Sequence, residues 1–346
     1  MPEFGFVMEP APRYTAPLAA RLETLGFDIL LCPDTQNLCP EPYGQLSLVA
    51  AATRNLRIGT GVTNPITRVA ATTASAIAAL QAESGGRAIC GLGRGDSSAA
   101  HIGRRNATTA ELRNYCRDVQ AYLRGGEVLC GSTASVLRWL DVSRIPPAPV
   151  DIACTGPQTI RMAADVAERV SFAVGSAPER IAWALGEFRD QLERSGRPRD
   201  QVRVGAYVIV VCRDDEYEAF TLARTMAGLF AHLAALKGTS LDHLPRPLES
   251  VARSLRTGYD MRRHNLSDGS HLGLIDDAFV DWFAICGPSS KCIDRLSRLL
   301  EMGLDHLYIL GGTPEVAEHG PRWAETVRLT EPLAERVLPV LRQQRS

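Results

Sequence analysis

The sequence lacks several features that would place the protein in a membrane or on nucleic acid. None of its apolar runs reaches 18 residues, so a transmembrane helix is not expected. The first residues, MPEFGFVMEPAP, have neither the basic start nor the apolar core of a secretory signal. The formal net charge is −1, which gives no basis for binding nucleic acid or an anionic membrane. We therefore expect a cytoplasmic globular protein whose partner is a small molecule.

Motifs for metal ions and disulfide bonds are also missing. The nine cysteines include no Cys-x-x-Cys pair, and Cys286 and Cys292 lie six residues apart without a neighbouring histidine. The seven histidines form no His-Glu-x-x-His motif. Four cysteines lie inside apolar runs, where a reduced thiol packs as a small hydrophobic side chain: Cys32, Cys90, Cys154 and Cys212. We therefore expect free cysteines, a reducing compartment and no metal site.

What the sequence does contain is a regular alternation of short apolar runs with longer helical patterns. Eight β-rich runs, several of them apolar on both faces, are typical of a sheet covered by helices: 4–8, 28–32, 56–62, 87–93, 150–154, 169–174, 202–212 and 305–312. Glycine closes most of the helical patterns between them, at Gly26, Gly85, Gly125, Gly196 and Gly303. Eight strands alternating with helices predict an α/β fold, a single (β/α)8 TIM barrel over residues 1–346, rather than a doubly wound sheet.

One interval is too long for this repeat. Between the seventh and eighth strands, residues 214–282 contain one helical pattern and then a polar stretch rich in histidine and arginine. Such insertions commonly shape substrate pockets, so we expect a helical insertion over one barrel mouth. Arg262, Arg263 and His264 within it are candidates for contact with an anionic ligand, but a solvated charged face is the favoured explanation.

The most unusual stretch is AICGLGRGDSSAAHIG, residues 88–103, where an apolar run passes directly into Gly91, Gly93 and Gly95. A dinucleotide fingerprint has the spacing Gly-x-Gly-x-x-Gly and an acidic residue near the end of the next strand, and neither is present. The Gly-Lys-Ser/Thr ending of a P-loop is absent too. After a fourth barrel strand, this loop belongs to the rim where barrel enzymes build active sites. Asp96 then either faces a ligand or caps the short helix that follows.

Other strand ends carry polar residues at the same predicted rim. The second strand is followed by Asp34 and Thr35, and the third contains Gly59 and Gly61. Interior glycines often mark a bulge or a close backbone approach, although a simple kink at the strand end is the alternative. The fifth strand ends in the segment 155–157, Thr-Gly-Pro, ahead of a helix whose first N–H groups suit a phosphate. A plain N-cap by the threonine of that segment explains the pattern as well.

Four segments in this order resemble the bacterial luciferase-like superfamily, in particular its enzymes that use the deazaflavin coenzyme F420, such as methylenetetrahydromethanopterin reductases. The segments are GTGVTNPITR, RAICGLGRGDSSAAHIG, ACTGPQTIRMAADVAERVSFAVG and ICGPSSKCIDRLSRLLEMGLDHLYILGG. The resemblance extends from residue 1 to about residue 330 and is weakest in the insertion. It implies a TIM-barrel oxidoreductase that holds a deazaflavin or flavin ring in the barrel mouth.

The resemblance also implies roles for single residues. A non-prolyl cis peptide between Gly61 and Val62 would lie against the ring, and the turn that begins at Thr155 would hold the phosphate tail. The implied cofactor-binding residues are Asp34, Thr60, Gly61, Val62, Asn64, Gly93, Arg94, Gly95, Thr155, Gly156, Pro157 and Gly175. Glu9 and Arg68 are candidates for substrate binding, although each is equally well explained as an ordinary surface or capping residue.

Asp96 is the implied catalytic residue. A carboxyl group beside an apolar ring is expected to have a raised pKa, which suits a proton donor near neutral pH. Relatives often have Asp-His after the second strand, whereas here Asp34 is followed by Thr35, so a sugar-phosphate dehydrogenase mechanism is not favoured.

We therefore expect a reductase that transfers a hydride between reduced coenzyme F420 and a small organic substrate with a C=N or C=C bond. One alternative is an FMN-dependent luciferase-like monooxygenase, and another is a non-catalytic flavin-binding barrel. Relatives commonly dimerise, so a homodimer is expected.

Overall fold

The computed structural model describes residues 1–234, 246–264, 269–312 and 319–344. The strands are β1 (Glu3–Val7), β2 (Ile29–Cys32), β3 (Arg57–Thr60), β4 (Ala88–Leu92), β5 (Val128–Cys130), β6 (Thr133–Ser135), β7 (Val150–Cys154), β8 (Arg169–Phe172), β9 (Arg203–Cys212), β10 (Ile285–Gly287) and β11 (His306–Leu310). The helices are α1 (Thr15–Thr24), α2 (Pro42–Ala52), α3 (Ala70–Glu83), α4 (Ser97–Ala100), α5 (Thr109–Leu123), α6 (Pro157–Val166), α7 (Pro178–Ser195), α8 (Glu216–Leu233), α9 (Arg246–Gly258), α10 (Asp277–Phe283), α11 (Ser289–Glu301), α12 (His319–Arg336) and α13 (Leu338–Gln343). Short 3-10 helices cover Arg199–Gln201, Met261–Arg263 and Ser270–Leu274.

Eight parallel strands close into a barrel. The ring runs β1, β2, β3, β4, β7, β8, β9 and β11, and β11 pairs back with β1. Each of these strands overlaps one of the eight apolar runs in the sequence, and helices cross between them on the outside. The predicted (β/α)8 TIM barrel is confirmed. The five glycines expected to close helices all have positive φ, between 64° and 96°.

Several elements were not expected from the sequence. The antiparallel hairpin of β5 and β6 lies between β4 and β7. The three-residue strand β10 pairs with the end of β9, where Ile285 lies opposite Val210. It finds room there because β9 has ten residues and β8 has four, so β8 covers only the beginning of β9. A run as short as β10 carries no periodicity that would distinguish it from a loop.

Successive side chains of the barrel strands alternate between two apolar cores. In β2, Leu30 and Cys32 pack outward against the surrounding helices, whereas Ile29 and Leu31 point into the barrel. The inner core continues into the segment between β9 and β11, where Phe279 of α10 is fully buried in the same cluster. This segment therefore shares the interior core of the barrel, and its position over the barrel mouth stays a prediction.

Paired polar side chains fill the barrel at the other end. Arg169 is 1% exposed, and its Nη1 lies 2.9 Å from Glu3 Oε2. The Tyr308 hydroxyl donates a 2.6 Å hydrogen bond to Asp151 Oδ2. Ser171 Oγ lies 2.8 Å from both Asp151 Oδ1 and His306 Nε2. Buried charges are costly unless they are paired and hydrogen-bonded, so this layer depends on all of its members.

Acid is expected to destabilise this layer through His306. Burial lowers the pKa of His306 well below its ordinary value of 6.5, and Arg169 and Arg203 lower it further. The unfolded chain therefore binds this proton at a higher pH than the folded chain does. The free energy of unfolding should fall as the pH decreases below about 6.5, by up to about 1.4 kcal/mol per pH unit from this residue.

Urea unfolding at two pH values, one above and one below that of free histidine, measures the effect. The loss of stability on acidification should be smaller in His306→Asn than in the wild type. His264 and His271, whose pKa values are also lowered by burial, contribute equally to both proteins. An equal loss in the two proteins would contradict the assignment to His306.

Candidate active site

A cavity of about 810 Å³ lies at the carboxyl ends of the barrel strands. Its size is within the range of small-molecule and cofactor sites. Its walls come from the strand-end loops, the start of α6 and one face of α8. The predicted site residues that line it are Glu9, Gly61, Val62, Asn64, Gly93, Arg94, Gly95, Asp96, Thr155, Gly156 and Pro157.

Four other predicted site residues are not among those that line this cavity: Asp34, Thr60, Arg68 and Gly175. Thr60 is buried between β3 and β4. Gly175 has φ +89°, and a Cβ there would come within 2.6 Å of the Phe283 ring. Asp34 and Arg68 bond to each other behind the cavity wall, as described below.

The ends of β3 and β4 approach each other so closely that only glycine fits. A Cβ on Gly91 would overlap the Thr60 carbonyl oxygen, and one on Gly93 would lie 2.5 Å from Val62 Cγ2. The peptide bond between Gly61 and Val62 is cis, as the resemblance implied. The Thr60 hydroxyl connects the strands by donating to the Gly91 carbonyl (2.8 Å) and accepting from the Gly91 N–H (3.0 Å). The cavity wall here consists largely of backbone.

A buried ion pair supports this wall from behind. Asp34 is 3% exposed, and its Oδ2 accepts hydrogen bonds from Arg68 Nε (2.6 Å) and the Thr63 hydroxyl (2.6 Å). Arg68 Nη2 also bonds to Glu41 Oε1 at 2.9 Å, and its guanidinium lies over the Tyr43 ring. Both oxygens of the Asp34 carboxylate are bonded to Arg68, which is the bidentate geometry of a strong pair. This arrangement fixes the segment after β3.

Asn64 fastens the same segment to the loop after β4. Its Oδ1 accepts the N–H groups of Ile66 and Thr67 at 3.0 and 3.1 Å, and its Nδ2 donates to Ser98 Oγ at 3.0 Å. Gly95 beside it has φ +76°, and a Cβ there would lie 2.6 Å from Asn64 Oδ1. The glycine-rich loop therefore depends on glycine for conformation as well as for space.

Asp96 immediately precedes α4, but its side chain makes no capping hydrogen bond, so the capping interpretation is wrong. Its Oδ2 lies 3.4 Å from Nε2 of His232, near the end of α8. Burial raises the pKa of Asp96, but His232, His264 and Arg94 lower it by more, so that the pKa is below its ordinary value. In the protein without ligand the expectation of a raised pKa is therefore also wrong, because no sequence pattern indicated that histidines of the insertion would face this carboxyl.

The start of α6 forms a second part of the wall. Pro157 is its first residue, as expected, but the N-cap is Gly156 rather than Thr155. Gly156 has φ −146° and no side chain. The N-cap residue therefore accepts no side-chain hydrogen bond from the first N–H groups of the helix. The positive end of the helix dipole and its free N–H groups favour an anion at such a position.

The apolar wall comes from α8. None of its residues was a predicted site residue, although the insertion that contains this helix was expected to shape the pocket. Met226, Leu229 and Phe230 of this helix line the cavity, together with Tyr207 of β9. His232 and His264 also line it. The sequence feature that could have indicated α8 as a wall of the site is the apolar face of its helical pattern inside the insertion. Periodicity shows that such a face is buried, but not what it is buried against.

Over the described ranges, no helix is long and apolar enough to cross a membrane. In the same part of the chain, no group of three or more His, Cys, Asp or Glu side chains is arranged to hold a metal ion. The described cysteines, which are all nine in the sequence, form no disulfide bonds.

The sequence profile of the luciferase-like monooxygenases matches residues 4–306. The chain belongs to this family. It is 28% identical over 317 residues to a 5,10-methylenetetrahydromethanopterin reductase of Methanolobus tindarius, an alignment that covers 89% of this chain and 91% of the relative.

Two solved structures have the same fold as this member of the luciferase-like family. One is the coenzyme F420-dependent tetrahydromethanopterin reductase of Methanopyrus kandleri, with TM-score 0.75 and 22% identity, covering 98% of this chain and 99% of that one. The other is an F420-dependent secondary alcohol dehydrogenase in complex with an F420–acetone adduct, with TM-score 0.72 and 16% identity, covering 95% and 98%. All three proteins named are oxidoreductases.

The approach of β3 to β4 predicts opposite effects for two glycine substitutions. In Gly91→Ala the new methyl group meets backbone, which can yield only if the strands separate, so we expect a loss of about 3 kcal/mol in unfolding free energy. In Gly186→Ala the methyl group on α7 meets open space, and alanine is favoured in a helix by about 1 kcal/mol.

Urea unfolding of the two variants beside the wild type tests this difference. If Gly91→Ala were as stable as Gly186→Ala, the close backbone contact would not be a feature of the folded protein.

Proposed function

We propose that this member of the luciferase-like family is an F420-dependent reductase that transfers a hydride between reduced deazaflavin and a small organic substrate with a C=N or C=C bond. The observation that carries the proposal is the flat backbone wall formed by Gly61, Val62 and Gly93, which faces an apolar helix across a cavity of about 810 Å³. The two structural neighbours described above are named as F420-dependent enzymes, which supports the choice of F420.

The residues present fit such a cofactor. A planar ring needs an open wall, and three of the residues that line this side of the cavity have no side chain: Gly61, Gly93 and Gly95. A Cβ on Gly156 would meet nothing within 4 Å, so the space above this residue belongs to the cavity. The ring would lie against the Gly61–Val62 segment, and the phosphate would lie at the start of α6.

When bound, reduced F420 supplies a hydride. The protein then has to hold the substrate beside the ring and exclude water. Met226, Leu229 and Phe230 would give the substrate an apolar surface opposite the backbone wall. The Asp34–Arg68 pair would keep that wall rigid, which is the role that we propose for both residues in place of direct contact with ligands.

For the substrate, we propose a molecule that carries a C=N or C=C bond next to an extended ring system. The curated relatives are named for a reduced pterin that carries a one-carbon group, and the cavity has room for more than the cofactor ring. A homodimer and a cytoplasmic location remain predictions, which sedimentation and cell fractionation test.

Titration of the purified protein with F420 and, separately, with FMN tests the choice of cofactor. We expect F420 fluorescence to change in a saturable manner and FMN to bind much more weakly. Tight FMN binding without an F420 response would contradict the proposal and favour the monooxygenase. Saturable F420 binding without turnover of any C=N, C=C or carbonyl substrate would favour a non-catalytic barrel.

The substitution Gly156→Ala tests whether the phosphate of the cofactor lies at the start of α6. The φ of Gly156, −146°, is accessible to alanine and the new Cβ enters open space, so stability should change little. The methyl group would crowd an anion at the start of α6, so we expect affinity for F420 to fall about tenfold, or about 1.4 kcal/mol. Gly186→Ala is the matched control and should bind F420 as the wild type does. Equal affinity in both variants would place the phosphate elsewhere.

A further inference from the structure

One close pair of titratable side chains connects the two walls of the cavity. Asp96 belongs to the strand-end wall and His232 to α8, and Asp96 Oδ2 lies 3.4 Å from His232 Nε2. This carboxylate oxygen is buried and accepts no hydrogen bond from any other described residue. Both residues line the cavity. The separation is that of an ion pair rather than of a short charge-assisted hydrogen bond.

The imidazole ring of His232 is held in one orientation. It stacks on the ring of Tyr259, with centroids 4.0 Å apart and planes 12° from parallel. The Tyr259 hydroxyl in turn lies 2.8 Å from Nδ1 of His264. Because Nε2 of His232 is directed at Asp96, Nδ1 is the ring nitrogen that remains to meet a substrate.

Two of the neighbouring titratable groups do not exchange protons near pH 7. Burial lowers the pKa of His264 to about 4, so that its imidazole is neutral at pH 7. The lowered pKa of Asp96 keeps its carboxyl ionised at pH 7, so it has no proton to give. The other titratable or charged groups around the pair are Arg94, His101, Tyr259 and His271.

We propose that His232 is the acid–base residue of this site and that Asp96 is the residue that positions and stabilises its imidazolium. The proposal rests on the proposed function, and it changes the role that the family resemblance implied for Asp96. A histidine oriented by a carboxylate is a common arrangement for proton transfer in enzymes. Among the described residues that line the cavity, the histidines come from the insertion and none from the barrel strands.

Reduction of the substrate double bond adds one hydride and one proton. The hydride, with its two electrons, adds to the carbon of the C=N or C=C bond, and the reduced deazaflavin is oxidised and releases its remaining proton to solvent. The nitrogen or second carbon of the substrate then holds the electron pair of the former π bond. His232 Nδ1 gives this atom a proton, and the imidazole takes one back from water.

The ion pair itself is tested in the protein without added ligand. With the aspartate carboxyl carbons labelled with 13C, the Asp96 signal is identified by its loss in Asp96→Asn. The pKa of Asp96 should rise in His232→Gln, because the positive imidazolium that favours the carboxylate has been removed. A carboxyl that titrates at the same pH in both proteins would overturn the proposal.

Turnover tests the proton transfer, with oxidation of reduced F420 by the substrate that supports the reaction above. In His232→Gln we expect kcat to fall by roughly 100-fold or more, with F420 affinity unchanged and with the alkaline limb of the pH profile abolished. His232→Phe keeps the ring that stacks on Tyr259 and should show the same loss. In Asp96→Asn the loss should be smaller and the alkaline limb should move to lower pH, because the imidazolium has lost its stabilising charge.

Two variants serve as comparisons. His101→Gln removes a histidine close to the pair that is not among the residues lining the cavity, and it should keep the wild-type pH profile. Glu9→Gln removes the other carboxyl that lines the cavity. If the alkaline limb disappears in Glu9→Gln and persists in His232→Gln, Glu9 is the acid and the proposal is overturned. If wild-type protein with bound F420 reduces no substrate, both the proposed function and the proton transfer fail, while the 13C titration still decides the ion pair.

Discussion

The carboxyl ends of β3 and β4 pack backbone against backbone, and this contact determines the shape of the cavity. It requires glycine at Gly91, where a methyl group would meet the Thr60 carbonyl, and at Gly93, where a methyl group would meet the Val62 side chain. The Thr60 hydroxyl then satisfies both the N–H and the carbonyl of Gly91. Where Gly61, Gly93 and Gly95 line the cavity, the strand-end wall has no side chains. The rest of the rim is arranged around this wall, with the Asp34–Arg68 pair behind it and Asn64 at its edge.

The opposite side of the cavity has a different origin. The barrel strands and their loops supply the backbone wall, whereas the long segment after β9 supplies apolar side chains and two histidines. One wall of the cavity thus belongs to the repeated barrel framework, and the other belongs to the segment after β9. Such a division lets a family keep one cofactor site and vary the substrate surface, as is usual for loops at the carboxyl end of a barrel.

Strand and helix placement could be predicted from the sequence because buried parallel strands are short apolar runs and because glycine ends the helices between them. The strand-end glycines were also visible, and so was the rim position of Asp96. The direction of its pKa shift could not be predicted, because it depends on His232, which lies more than a hundred residues along the chain on a helix of the insertion. Asp34 shows the same limit. Its position after β2 indicated the rim, but whether its carboxylate faced a ligand or Arg68 depended on side-chain geometry that no local pattern encodes.

The paired charges at the base of the barrel have a consequence for the order of binding. Asp151, Arg169 and Tyr308 fill the interior beneath the cavity, so the barrel gives a bound molecule no passage through its base. Entry and exit then both take place at the carboxyl ends of the strands. If the proposed cofactor and substrate lie one above the other, the deeper one arrives first and departs last.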